Sequence, residues 1–163
     1  MEMPKTGINA IVVSVSDTRN NADDVSGDLL VRLFAENGID VLEKLIVPDE
    51  LAGLRDTLFM LAGRDDVDLI ITTGGTGFGP RDNTPEATRA VIEREAPGIA
   101  EAMRRESARF TELAMLSRGI CGIRGESLIV NLPGSPKAVQ QCFEVIAPVL
   151  PHAVSLIRGK TAH

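Results

Sequence analysis

The stretch DLIITTGGTGFGPRDNTPEAT, residues 68–88, decides the fold of this chain. It opens with an apolar, β-branched run, passes through a loop with four glycines, and ends in a Thr-Pro pair. A buried strand has the first pattern, and a helix start has the last. We therefore predict a strand, a glycine loop and a helix in direct succession.

Strands and helices alternate on both sides of this stretch. Apolar runs predict further strands at residues 8–17, 39–47, 119–123 and 127–132. Helical spacing predicts helices at 26–38, 48–63, 84–95, 97–110 and 135–147, with Asp49, Thr84 and Ser135 as N-caps of the second, third and fifth. This order predicts an α/β protein, a three-layer α/β/α sandwich with a mostly parallel central sheet, as a single domain over residues 1–163.

Charge and composition argue against several partners. The formal net charge is −6, aromatic residues make up 3%, and no run of lysine or arginine occurs, so we expect no nucleic-acid partner. The N-terminus fits neither a signal peptide nor a membrane span, and we expect a cytoplasmic protein with no membrane partner. Cys121 and Cys142 lack metal-ligand spacing, and we expect buried core thiols.

The glycine loop lies after a strand, where ligands of parallel sheets bind. It matches neither standard nucleotide motif, since it has no lysine for a Walker A loop and Pro80 replaces the third small residue of the dinucleotide fingerprint. Gly74, Gly75, Thr76 and Gly77 remain, and successive N–H groups in such a segment form an anion-binding concavity. The alternative is a strand-to-helix turn that needs several glycines.

Two aspartates favour a ligand site. Asp49 follows the second predicted strand, and Asp82 lies near the end of the glycine loop. If the two strands are neighbours, both carboxylates reach one crevice, and carboxylates beside a phosphate imply a bound Mg²⁺. The alternatives are that Asp49 only caps its helix and that Asp82 only stabilises the turn.

Several ordered motifs resemble one known family. The motifs VSVSDT, IVPDE, TTGGTGFGPRDNTPEAT, AMLSR and LIVNLPGSPKAVQQCF together resemble the MogA family of molybdopterin adenylyltransferases, which includes the N-terminal domain of gephyrin. MoaB proteins share these signatures. The resemblance extends from about Ile8 to Gly159.

The resemblance implies an enzyme that transfers AMP from Mg·ATP to the terminal phosphate of molybdopterin. It implies that Asp49 and Asp82 are catalytic and bind the metal. It implies a nucleotide and phosphate site at Thr73, Gly74, Gly75, Thr76 and Gly77, and substrate contacts from Ser117, Arg118, Gly134 and Ser135. Two alternatives remain, namely Ser135 as a helix cap and Arg118 as a surface ion-pair partner.

The resemblance also implies a homotrimer. Because the sequence ends at His163 without a molybdate-inserting domain, it implies a separate molybdate-insertion protein as partner. Two other functions compete with the adenylyltransferase. One is a non-catalytic trimerising module, and the other is a MoaB-type pterin-binding protein with weak or no adenylylation activity.

Overall fold

A computed structural model describes residues 3–160, so the predicted domain end at His163 lies outside the described residues. The chain forms one six-stranded sheet with the order β2-β1-β3-β6-β5-β4. Its strands are β1 (Asn9–Val15), β2 (Asp40–Val47), β3 (Leu69–Thr73), β4 (Arg94–Glu95), β5 (Cys121–Arg124) and β6 (Ser127–Leu132). The helices are α1 (Val25–Glu36), α2 (Leu51–Ala62), α3 (Thr84–Val91), α4 (Pro97–Ser107), α5 (Pro136–Ile146) and α6 (Leu150–Ile157), with short 3₁₀ segments at Glu112–Leu116 and Ala147–Val149.

Four neighbouring strands, β2, β1, β3 and β6, are parallel to one another. β5 lies antiparallel to β6, and β4 lies antiparallel to β5. The mostly parallel sheet predicted from the sequence is therefore confirmed. The antiparallel direction of β5 determines which segment reaches the site. β5 begins at the edge of the sheet where the parallel strands end, so the segment before Cys121 is delivered to that edge.

The side chains of β1 alternate between two separate cores. Ala10 and Val12 belong to the core that packs under α1, α4, α5 and α6, whereas Ile11, Val13 and Val15 belong to the core under α2 and α3. Successive side chains of a strand point to opposite faces, so this sheet is covered by helices on both sides. The three-layer α/β/α sandwich is confirmed.

Two local predictions were wrong at helix starts. Asp49 does not cap α2, because Glu50 is the N-cap and its carboxylate accepts from the N–H groups of Ala52 and Gly53 at 3.0 and 2.9 Å. Thr84 is not a cap either, since α3 has Asn83 at that position without a side-chain bond. Ser135 is confirmed as the N-cap of α5, with Oγ accepting from the Ala138 N–H group at 3.2 Å.

The predicted helix over 84–95 is shorter than expected. α3 ends at Val91, and Arg94–Glu95 forms β4, which pairs antiparallel with Gly122 and Ile123 of β5. The sheet therefore gains an edge strand that the helical pattern concealed.

Both cysteines are core residues, as predicted, with 1% and 2% exposure. Burial raises the pKa of the Cys121 thiol to about 12 and also raises the pKa of Cys142. Both thiols are therefore protonated at neutral pH. Within residues 3–160, every helix is too short or too polar to cross a lipid bilayer.

Candidate functional site

Three parallel strands end side by side at one edge of the sheet. Ser14 of β1 pairs with Thr73 of β3, which pairs in turn with Leu132 of β6. The loops at 16–24, 74–83 and 133–135 all start from this edge, and the 117–120 segment reaches it before β5. Every residue that the sequence analysis assigned to the site lies at or beside this edge.

The turn out of β3 requires glycine at two positions. Gly74 and Gly75 have φ angles of 100° and 68°, in the left-handed region that favours glycine. A Cβ at Gly74 would lie 2.5 Å from the carbonyl oxygen of Val15, and one at Gly75 would lie 2.3 Å from Thr84 Oγ1 and 2.7 Å from Asp49 Oδ2. The packing of the turn alone therefore accounts for both glycines, as the turn interpretation holds.

The N–H groups of the same loop also suit an anion. Gly74 donates to the Leu132 carbonyl at 3.1 Å, but the N–H groups of Gly75, Thr76 and Gly77 have no hydrogen-bond acceptor among residues 3–160. Three consecutive N–H groups without a protein partner are the pattern of an anion-binding nest. The turn interpretation therefore explains why glycine is needed at 74 and 75. The anion interpretation concerns the N–H groups of Gly75, Thr76 and Gly77.

Threonine hydroxyls hold this loop in place. Thr73 Oγ1 donates to the Pro133 carbonyl at 2.7 Å, and Thr84 Oγ1 donates to the Gly74 carbonyl at 2.9 Å. The first bond fixes the loop after β6 beside the glycine loop, and the second fixes the start of α3 against it. Both threonines are almost fully buried, so these bonds are shielded from water.

Asp49 reaches the glycine loop although its strand is not a neighbour of β3. β1 lies between β2 and β3, so the neighbouring strands assumed in the sequence analysis are wrong. The carboxylate nevertheless lies across the end of β1, where Oδ1 accepts from the Asn83 N–H group at 3.0 Å. Asp49 is 7% exposed, and its Oδ2 lies next to Gly75.

Asp17 is a site residue that the sequence analysis missed. It follows β1, and its Oδ1 accepts from the Asp49 N–H group at 3.0 Å. The guanidinium of Arg81 donates to both Asp17 oxygens, at 2.7 and 3.0 Å. The sequence shows Asp17 directly after a predicted strand in the VSVSDT motif, but its place in the site follows from the strand order, in which β1 lies between β2 and β3.

The surroundings of Asp49 disfavour its negative charge. Burial is the main cause that raises the pKa of the Asp49 carboxyl, and the neighbouring charges of Asp82 and Asp17 raise it further. The bond from Asn83 and the charge of Arg81 act in the opposite direction but do not cancel these effects. A buried carboxylate among like charges is a common property of functional sites.

The side chain of Asp82 closes a turn within the glycine loop. Its Oδ2 accepts from the Gly79 N–H group at 2.8 Å and lies 2.9 Å from the place where a Cβ on Gly77 would be. The turn-stabilising contact of this residue is therefore present, and its role in catalysis and metal binding stays a prediction. The same geometry places the carboxylate beside Gly77 and Gly79 of the glycine loop.

The carboxylates suit Mg²⁺ only together with a ligand. Among residues 3–160, no group of three or more His, Cys, Asp or Glu side chains is arranged to hold a metal ion by itself. Mg²⁺ is usually bound by one or two carboxylates together with substrate phosphates and water, rather than by a complete protein cage. Asp49 and Asp82 fit that kind of site.

A cavity of about 430 Å³ opens on the other side of the glycine loop. This volume is within the range of small-molecule sites. Thr76 and Gly77 form one wall, and Ser117, Ser135 and Asn131 add polar groups to a lining that is otherwise mostly apolar. Of the predicted substrate residues, Ser117 and Ser135 line the cavity.

Gly134 and Arg118 lie outside the lining. The Gly134 carbonyl accepts from Ser26 Oγ at 2.7 Å, and a Cβ on Gly134 would lie 3.4 Å from the Cα atom of Gly74. Arg118 borders a separate, shallow pocket of about 410 Å³ that also contains Asp82 and Glu86.

The sequence analysis missed most of the cavity wall on α4. Ala100, Met103, Arg104 and Ser107 line the cavity from this helix. Their spacing of three, one and three residues is that of a single helical face, so the pattern was readable once the helix was predicted. Arg104 also donates to the carbonyl of Gly119 at 2.7 Å, which holds the segment before β5 against α4.

Comparisons with known proteins agree on one family. The sequence profile described as "Probable molybdopterin binding domain" matches residues 11–152. The chain is 40% identical over 152 residues to a molybdopterin adenylyltransferase of Helicobacter pylori, covering 91% of this chain and 86% of that protein. It is 47% identical over 150 residues to the Drosophila melanogaster molybdenum cofactor synthesis protein cinnamon, covering 90% of this chain but only 25% of that protein.

A solved structure agrees as well. The molybdopterin biosynthesis enzyme MoaB of Thermus thermophilus superposes with a TM-score of 0.86 at 44% identity, covering 94% of this chain and 98% of that one. The fold is therefore common to this chain and to a MoaB protein.

The first prediction concerns the glycine turn. We expect Gly75→Ala to lower the free energy of unfolding by about 1–3 kcal/mol, because the new Cβ meets Thr84 and Asp49 in a disfavoured backbone conformation. Gly98→Ala in α4 is the matched control, since a Cβ there meets nothing within 4 Å, and we expect a small gain in stability. Urea unfolding of both variants tests this, and equal effects would contradict it.

The second prediction concerns the charge of Asp49. Because burial raises its pKa, the folded protein binds this proton at a higher pH than the unfolded chain does, and ionised Asp49 lowers stability at neutral pH. Asp49→Asn keeps an acceptor for the Asn83 N–H group and removes the charge. We expect Tm to rise by roughly 2 °C or more near pH 7, and the difference from the wild type to shrink as the pH falls through the raised pKa.

Asp66→Asn is the control for this measurement. Arg64 lowers the pKa of Asp66, so ionised Asp66 stabilises the fold and its replacement should leave Tm unchanged or lower it. Thermal unfolding at a series of pH values compares the two variants. A lower Tm for Asp49→Asn at neutral pH would show that its charge stabilises the protein.

Proposed function

The chain belongs to the molybdopterin-binding domain family of molybdenum cofactor biosynthesis, and from this premise we propose that it is a molybdopterin adenylyltransferase. It transfers AMP from Mg·ATP to the terminal phosphate of molybdopterin. The observation that carries the proposal is the loop from Gly75 to Gly77. Its free N–H groups lie between two carboxylates on one side and a cavity large enough for a small ligand on the other.

The reaction joins two phosphate groups, so the protein has to bring two anions together. An oxygen of the molybdopterin phosphate forms a bond to the α-phosphorus of ATP, the bond to the β-phosphate breaks, and pyrophosphate leaves. Positioning and electrostatic stabilisation supply most of the catalysis in such transfers. The N–H groups of Gly75, Thr76 and Gly77 are donors in fixed positions for phosphate oxygens.

Asp49 and Asp82 would hold the magnesium ion. When bound, the ion would neutralise charge on the phosphates and on the two carboxylates. The raised pKa of Asp49 supports this assignment, because a cation beside the carboxylate removes the repulsion from Asp82 and Asp17. Thr73 and Gly74 serve the nucleotide site by shaping the turn, through the Thr73 bond to Pro133 and the close approach of Gly74 to β1.

The molybdopterin would occupy the cavity. Ser117 and Ser135 lie in its wall, where they can contact the pterin or its phosphate, and Gly134 lies beside Gly74 at its edge. Arg118 is the fourth predicted substrate residue, and it borders the loop on the side of Asp82. The apolar part of the lining suits the flat pterin ring.

A MoaB-type protein with weak or no adenylylation activity is the second candidate function. The similarity to the Thermus thermophilus MoaB protein favours it. A non-catalytic trimerising module is less well supported, because such a module does not need a buried carboxylate among like charges. A separate molybdate-insertion protein, the cytoplasmic location and the absence of nucleic-acid and membrane partners stay predictions.

The third prediction tests the enzyme. Asp82→Asn keeps an acceptor for the Gly79 N–H group but removes the charge, so we expect turnover of molybdopterin and Mg·ATP to fall by about 100-fold or more. Asp49→Asn should lower turnover by a similar factor, although its Tm should rise. Asp56→Asn, an exposed aspartate on α2, is the control and should keep full activity.

Single-turnover adenylylation and molybdopterin binding measure these effects separately. We expect binding of molybdopterin to survive in both site variants, because the cavity lies on the other side of the loop. Full activity in both variants would end the metal-bridging mechanism. A wild-type protein that binds molybdopterin without forming product would favour the MoaB-type candidate.

The fourth prediction is a homotrimer in solution. The chain exposes several large apolar side chains that a subunit interface would cover, among them Phe110, Leu113 and Met115, with 64%, 70% and 73% exposure. Light scattering coupled to gel filtration gives the mass directly. A monomer would contradict the prediction, and a hexamer would favour the MoaB-type candidate.

A further inference from the structure

Arg118 contacts the glycine loop at three successive places. Its N–H group donates to the Thr76 carbonyl at 2.8 Å, and its Nε donates to the Gly77 carbonyl at 2.7 Å. Its Nη2 donates to the carbonyl of Asp82 at 2.8 Å. The guanidinium therefore spans the loop from Gly77 to Asp82 and fixes the distance between its ends.

The third nitrogen of the guanidinium has a partner outside the loop. Nη1 forms an ion pair with Glu86 on α3, and the neighbouring arginine lowers the pKa of the Glu86 carboxyl. The positive charge of Arg118 is therefore balanced by a residue of the chain itself. This differs from an arginine kept for a phosphate, whose charge remains available to the ligand.

The loop that Arg118 spans has other restraints, among them the Arg81–Asp17 ion pair. Among residues 3–160, however, Arg118 is the side chain that binds the carbonyls at both ends of the loop, those of Gly77 and Asp82. The loop contains Gly77, Gly79 and Pro80, and the glycines give the unrestrained backbone many conformations. Within the loop, the bond from the Gly79 N–H group to Asp82 Oδ2 closes the turn. By holding Gly77 and Asp82 relative to each other, Arg118 adds to the restraints that define the position of the Asp82 carboxylate.

We propose that Arg118 is a positioning residue, which clamps the two ends of the 77–82 loop and thereby fixes the Asp82 carboxylate beside Gly77 and Gly79. The clamp extends to Asp49, because Asn83, whose N–H group binds Asp49, directly follows the clamped carbonyl of Asp82. Arg118 also follows the 3₁₀ segment and Ser117, which contribute to the cavity wall. The clamp thus joins the wall of the cavity to the carboxylate side of the loop.

The proposal rests on the proposed function for its kinetic test, which is a double-mutant cycle between Arg118→Ala and Asp82→Asn. A displaced Asp82 should lower kcat for Mg·ATP and molybdopterin by about 10–100-fold, with KM for molybdopterin unchanged. Since Arg118 acts through Asp82, the double variant should be no slower than Asp82→Asn alone. Two results would overturn the clamp in favour of direct contact between Arg118 and the substrate. One is a double variant whose loss of kcat is the product of the two single losses, and the other is an Arg118→Ala variant with raised KM and normal kcat.

Arg118→Lys separates geometry from charge. Lysine keeps the positive charge beside Glu86 but lacks the fork that reaches both carbonyls. We expect it to lose nearly as much kcat as alanine does, whereas a residue that acts only by its charge would be replaced without loss. If Arg118→Ala fails to fold, the kcat of Arg118→Lys tests the clamp in its place.

Hydrogen exchange tests the clamp without any ligand or turnover. We expect amide exchange over residues 79–83, where the N–H groups of Gly79, Asp82 and Asn83 have acceptors, to be at least tenfold faster in Arg118→Ala than in the wild type. Arg89→Ala, which removes an exposed arginine–glutamate pair on α3, is the control and should leave this segment unchanged. Unchanged exchange in Arg118→Ala would refute the clamp, while a wild type without turnover would refute only the proposed function.

Discussion

The hydrogen bond from the Asn83 N–H group to Asp49 Oδ1 joins two segments that the sheet keeps apart. β1 separates the strand before Asp49 from the strand before the glycine loop, so the carboxylate has to cross the end of β1 to reach its partner. That crossing needs Gly75, because any Cβ there would occupy the space of the carboxylate. The position of the Asp49 carboxylate beside the glycine turn depends on this contact.

The place that Asp49 occupies costs the fold some stability, although the bond from Asn83 acts in the opposite direction. Asp49 is buried beside Asp82 and Asp17, and these surroundings disfavour its charge. A ligand that brings a cation to the site would remove the repulsion. The electrostatic cost of ionised Asp49, which is present in the free protein, is then recovered when the ligand binds. Strain and unfavourable charge of this kind are common where a protein binds ions or performs catalysis.

Much of the fold was predictable because it is local. The apolar runs of β1, β3 and β6 and the helical spacing of α1 and α5 depend on neighbouring residues, and the structure confirms them. Strand order is a long-range property, so the condition of neighbouring strands on which the sequence analysis brought Asp49 and Asp82 together is not met. β4 was missed since its two residues continue a helical pattern and pair only with a strand 28 residues later.

The site was less predictable because several of its residues act through backbone atoms. Glu50 takes the capping role that Asp49 was expected to share, which frees Asp49 for the loop. Asp17 binds an N–H group from the end of a different strand, and no spacing pattern announces such a bond. The contacts of the site span 34 residues between Asp49 and Asn83, 64 between Asp17 and Arg81, and 108 between Ser26 and Gly134.

Those separations have a consequence for how the chain folds. Contacts between distant residues form slowly, because long loops have to close before the contacts can stabilise anything. β1, β2 and β3 can assemble first, but β6 pairs with β3 only after a further 59 residues have been synthesised. A growing chain on the ribosome therefore lacks the loop after β6 until β6 itself has been synthesised, and the assembled site marks a chain whose sheet is complete.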